Sequence, residues 1–176
     1  MTASAPATAR PAAGLAAACR EALPPLRVAL GGALVWGALM GFCAILGLLR
    51  LDWEGTERIR LVALLFTAGG ALAFPIALFA AGLLSRGRSG EVAFAAAFVC
   101  LLGATIAVTG ALYALQYRAY YAEWHAETFS ITWMFQFVFT VLAALYQFAV
   151  LGIRLYFPLG FVALFAVALW FARHRP

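Results

Sequence analysis

Three side chains with chemistry to offer stand close together in this sequence, in the run Glu123-Trp124-His125-Ala126-Glu127. In an extended chain the two carboxylates and the imidazole of this E-x-H-x-E pattern share one face. There they could bind a divalent metal or divide acid and base roles. In a helix Glu123 and Glu127 align and His125 points elsewhere. A structural zinc site usually takes four ligands and a catalytic one at least three, and no second cluster completes this set. The neighbours Tyr120, Tyr121 and Trp124 suit the bilayer interface, each having an apolar ring and a polar edge. The stretch therefore reads as an interfacial connector, with no catalytic and no metal-ligating residue expected.

A second pattern is spread over two apolar runs. Thr105, Thr109, Tyr113 and Gln116 fall at helical spacing, within a sector of about 80° at about 100° per residue. Thr132, Gln136, Thr140, Ala143, Gln147 and Arg154 share a sector of the next run, which is crowded with Trp133, Phe135, Phe137, Phe139, Tyr146 and Phe148. Polar groups in lipid are costly unless satisfied, so both stripes should face protein or water. One reading is a polar cleft between the third and fourth helices, binding or passing a small molecule through Thr105, Thr109, Tyr113, Gln136, Thr140 and Gln147. The other is hydrogen-bond glue between helices, at about 0.6 kcal/mol per contact.

Absent residue types exclude much else. All 12 basic residues besides histidine are arginine, and neither Lys nor Asn occurs. That removes a P-loop lysine, a Schiff-base lysine and an N-glycosylation acceptor, and it points to a GC-rich, bacterial coding sequence. Asp52 is the sole aspartate, so one chain cannot build a paired-aspartate site. His125 and His174 lie near helix ends, away from where paired axial ligands would hold haem in the bilayer. Cys19, Cys43 and Cys100 show no metal or redox spacing. No cofactor is expected. The net charge of +5 comes from single arginines at helix ends, the pattern of membrane anchoring rather than of nucleic-acid binding.

The elements that must position these residues are membrane helices. Hydrophobic residues make up 66% of the 176 residues and charged ones 11%, so lipid rather than water is the solvent. Residues 1–26 read as a flexible Ala/Pro-rich tail, with a short helix near 14–22 and no continuous apolar stretch for a signal peptide. Residues 27–176 read as one transmembrane domain with spans at about 28–49, 61–84, 92–115, 131–153 and 155–172. Most reach the roughly 20 residues needed to cross a hydrocarbon core of about 30 Å. The last two runs as one straight helix would reach roughly 60 Å. Gly152, Arg154, Pro158 and Gly160 instead place a turn around 151–157, with Pro158 opening a fifth helix. The expected fold is thus all-α, a polytopic bundle of five spans; four spans plus a re-entrant or interfacial segment is the alternative. With five spans the arginines tie at six on each side, leaving orientation unassigned.

Small residues four apart mark close helix contacts: Ala29, Ala33, Gly37 and Gly41 in run one, Gly69, Ala73, Ala77 and Ala81 in run two, and Gly103, Ala107, Gly110 and Ala114 in run three. Gly69-Gly70 and Pro75 should loosen or kink run two. The expected partners are the bilayer and other membrane proteins, or a second copy docking through the Ala29–Gly41 face. The expected role is non-enzymatic: an accessory or interaction subunit of a bacterial inner-membrane complex. A small transporter using the polar cleft, and an enzyme using Glu123, His125 and Glu127, are the alternatives.

Overall fold

The computed structural model describes residues 11–51 and 55–174, and these are all-helical. The helices are α1 (Pro11–Ala22), α2 (Leu26–Arg50), α3 (Thr56–Leu84), α4 (Gly90–Tyr121), α5 (Ile131–Gln147) and α6 (Leu159–Arg173). A 3₁₀ turn at Ala122–Trp124 ends α4; a π-helical segment, Phe148–Gly152, and a 3₁₀ turn, Ile153–Tyr156, follow α5. Residues 1–10 of the expected tail, the acidic Asp52 and Glu54, and Arg175 lie outside the described residues.

Among the described residues, four helical stretches are long and apolar enough to cross a membrane: Leu26–Arg50, Thr56–Leu84, Gly90–Trp124 and Ile131–Tyr156. The fifth apolar run is shorter, since α6 has 15 residues, about 22 Å of helix. Small residues bring α2, α3 and α4 together. A Cβ on Gly37 would lie 2.7 Å from the Thr67 carbonyl oxygen, and one on Gly70 2.9 Å from Met40 Cγ. Gly69 meets the Thr109 backbone just as closely, at 2.8 Å. The Gly37–Gly41 half of the run-one stripe is thus covered by α3 within the chain, while Ala29 and Ala33 stay half-buried. Gly69, Ala73, Ala77 and Ala81 are all buried, and α3 runs on through Pro75.

The face expected to pack α4 needs correction. Gly110 and Ala114 are buried, but Gly103 and Ala107 point outward and a Cβ at Gly103 would meet nothing. The packed side instead carries Ala93, Ala97, Leu101, Thr105 and Thr109. Spacing alone treats Gly and Thr as equally suited to an interior face; the neighbouring helices decide which row is covered.

The break between runs four and five lies where expected, but the chain does not reverse there. Gln147 bonds Tyr113, and Phe148 packs on Gly110. Farther on, Phe161 stacks edge-on against Phe98 and Phe165 against Phe94. Rising numbers therefore meet falling numbers on α4 throughout. On α2 likewise, Leu155 faces Gly47 and Gly160 faces Met40. Segment α5, the irregular turns and α6 form one broken descent alongside α4, whose 32 residues extend about 48 Å. The irregular segment 148–158, whose Phe157–Pro158 peptide is cis, does not fold the chain back.

The two ends of the described chain meet at one end of the bundle. Glu21 pairs with Arg86 of the α3–α4 turn, and both line a cavity with Trp170 and His174. Helix α1 is also docked rather than detached, with Ala22 buried against Gly82. The hydrophobic core gathers Trp36, Met40, Phe66, Phe74, Leu101, Phe148 and Leu164 at the centre of the bundle.

Candidate functional site

The residues with polar or aromatic character concentrate where α4 and α5 meet. Helix α4 outlasts its apolar run because Gln116–Tyr121 contains no Gly or Pro to stop it. The connector then enters α5 through a left-handed residue, Phe129 (φ 70°), and Ser130, whose Oγ accepts the Trp133 backbone N–H at 3.1 Å. This is an ordinary serine N-cap, satisfying one amide the helix leaves open.

The connector lies against α5. Gln136 Oε1 accepts the Ala126 N–H at 2.8 Å, and His125 Nε2 approaches Thr140 Oγ1 at 3.2 Å. The Thr140 hydroxyl donates its own proton to the Gln136 carbonyl at 2.6 Å. On the opposite flank the Arg118 guanidinium stands over the Phe137 ring at 5.0 Å, a cation–π contact. A stack of Tyr113, Tyr117 and Tyr121 continues to Trp124.

The six stripe residues do not converge on one cleft. Tyr113 donates to Gln147 Oε1 at 3.1 Å, the single α4–α5 pair among them. Thr105 accepts a hydrogen bond from Trp36 Nε1 of α2 at 3.1 Å, and Thr109 is buried against Gly69 of α3. Gln136 and Thr140 are taken by the connector. Sequence reasoning missed Trp36, although a lone indole in the middle of run one has a donor that must be satisfied somewhere.

The E-x-H-x-E side chains likewise separate. Glu123 lies in the 3₁₀ turn and is exposed, Glu127 is exposed, and half-buried His125 turns to Thr140. Among the described residues no group of three His, Cys, Asp or Glu could hold a metal ion. Tyr120, Tyr121 and Trp124 are exposed and in ring contact with one another.

What the arrangement does present is surface. Ala144 is the one buried residue of α5. Ile131, Met134, Phe135, Val138, Phe139, Leu142 and Tyr146 are all exposed. Helix α5 packs along α4 and makes no comparable contact with α2 or α3. On its outer side a broad open depression of about 690 Å³ is walled by Ile131, Phe135 and Phe139, with His125, Gln136 and Thr140 behind. Comparison of the chain with protein-family models, with curated proteins and with solved structures finds no match.

Proposed function

We propose that this chain is a non-enzymatic accessory subunit of a membrane complex, held in the bilayer by α2, α3, α4 and the broken descent, and docking a larger membrane protein through α5. The observation carrying this reading is the outer face of α5, an apolar, aromatic-rich surface that the chain's own helices leave uncovered. Aromatic side chains are the usual anchors of protein interfaces, and α5 is rich in them. The hydrogen bonds that consume Gln136, Thr140 and Gln147 favour a fixed docking platform over a substrate path.

The proposal includes a finer topology. Four crossings, the fourth made of two helices in tandem, account for both ends of the described chain meeting the α3–α4 turn better than five crossings do. With four, the sequence before α2, the α3–α4 turn and the sequence from the end of α6 hold seven arginines (Arg10, Arg20, Arg27, Arg86, Arg88, Arg173 and Arg175) against five elsewhere (Arg50, Arg58, Arg60, Arg118 and Arg154). The excess supports a cytoplasmic placement of the α3–α4 turn in a bacterial inner membrane.

The test is photo-crosslinking from Phe139 at native expression, with a benzophenone amino acid in its place, followed by mass spectrometry. A single membrane protein captured there, and not from a probe at Gly103 on the outer face of α4, is the expected result. Only lipid adducts from both positions would refute the docking role.

A further inference from the structure

At the end of the bundle where α1, the α3–α4 turn and the last turn of α6 meet lies a cavity of about 690 Å³. Its floor is apolar, formed by Val28, Leu78 and Trp170, and its rim carries Glu21, Arg86 and His174. Arg20, Arg27, Arg88 and Arg173 belong to the same end. The volume is in the range of sites for small organic ligands and far above that of a bound ion or water.

The cavity's partial cover is weakly fastened. Helix α1 reaches it through Ala22, seated on Gly82, and through the Glu21–Arg86 ion pair. Both partners of that pair are open to solvent, with side-chain exposures of 65% and 41%. An exposed pair of this kind contributes little, so a stronger anion can take Arg86 from Glu21. Helices α2 and α6 touch only sparsely beyond the cavity. A smaller apolar cavity of about 50 Å³, at Trp36, Met40 and Leu164, lies farther along these two helices. The shape therefore combines a basic rim at the membrane surface with an apolar course between two helices.

We propose that this cavity binds one anionic phospholipid, with its phosphate on Arg86 beside His174 and an acyl chain over Val28, Leu78 and Trp170. A soluble phosphate would use the rim alone and leave the apolar floor without a role. A zwitterionic lipid would leave the local arginine excess uncompensated. Basic pockets between helices on the cytoplasmic face suit anionic head groups for these reasons.

The test is native mass spectrometry of the full chain in mild detergent, titrated with phosphatidylglycerol or with phosphatidylethanolamine of the same acyl chains. One phosphatidylglycerol should be retained at least about fivefold better, the effect of a single arginine near an anionic lipid. Arg86→Gln should abolish that preference and Arg86→Lys should keep most of it. Arg60→Gln, which removes the exposed Arg60–Glu57 pair at the opposite end, should leave it intact. Excess inorganic phosphate should not displace the lipid. Equal retention of the two lipids, an unchanged preference in Arg86→Gln, or displacement by phosphate alone would each overturn the assignment.

Discussion

Gly37→Ala and Gly103→Ala make the same chemical change on two helices whose small-residue spacing looks alike, and the structure assigns them opposite outcomes. At Gly37 the added methyl would lie 2.7 Å from the Thr67 carbonyl oxygen and 2.9 Å from Ala71 Cβ, well inside the 3.4 Å where ordinary contact begins. The carbonyl belongs to α3's backbone and cannot rotate away, so α2 and α3 must part along their seam. Overpacking of that kind costs about 1–3 kcal/mol. At Gly103 nothing lies within 4 Å, so only the intrinsic helix gain remains, up to about 1 kcal/mol. That gain is common to both substitutions and cancels in their difference, which isolates the steric term. Reversible unfolding in bicelles by steric trapping reads the difference directly: Gly103→Ala should exceed Gly37→Ala in stability by about 1–3 kcal/mol. A difference below about 0.5 kcal/mol, the usual scatter of surface substitutions, would refute the close α2–α3 approach.

The broken descent predicts sidedness. With the native cysteines removed, Arg88→Cys and His174→Cys should react alike with a membrane-impermeant maleimide on sealed spheroplasts, and Glu57→Cys should behave oppositely. His174→Cys labelling together with Glu57→Cys would restore an odd number of crossings. The connector predicts a local effect: Gln136→Leu strips the Ala126 N–H of its acceptor, a loss of about 1 kcal/mol, so its amide exchange should quicken about fivefold. Gln147→Leu, which touches Tyr113 instead, should leave that amide unchanged, and equal quickening in both variants would remove the connector contact.

Helix content and the first three spans were legible because apolar runs in lipid must satisfy their backbone internally, which leaves few options besides a helix. The sequence also places the break correctly, since Gly152 and Pro158 both interrupt a regular helix. It does not reveal the direction taken afterwards. A hairpin and a tandem break use the same residues, and the choice rests on ring contacts such as Phe98–Phe161 that lie more than sixty positions apart. The polar stripes were found, but their partners were not. Thr105 and Thr109 mark a face that must meet protein or water, and it is Trp36 and Gly69 on other helices that take them into the core. Spacing reports which residues share a face and carries no record of what that face meets.

The position of α5 follows from lengths as much as from contacts. Leu48 and Leu51, at the end of α2, stand beside Tyr113, Gln147 and Arg154, so α2 stops level with the last residue of α5. Arg154 is exposed there, beside the last turn of α2. The other 16 residues of α5 then rise beyond that level together with Tyr117–Tyr121 of α4. This stretch has more exposed aromatic side chain than any other helix: Phe135, Phe139 and Tyr146 are each more than 60% exposed. A partner helix laid against this face would cover the rings that the chain's own helices leave open. That is why α5, rather than the small-residue face of α2 already occupied by α3, is where a partner should be sought.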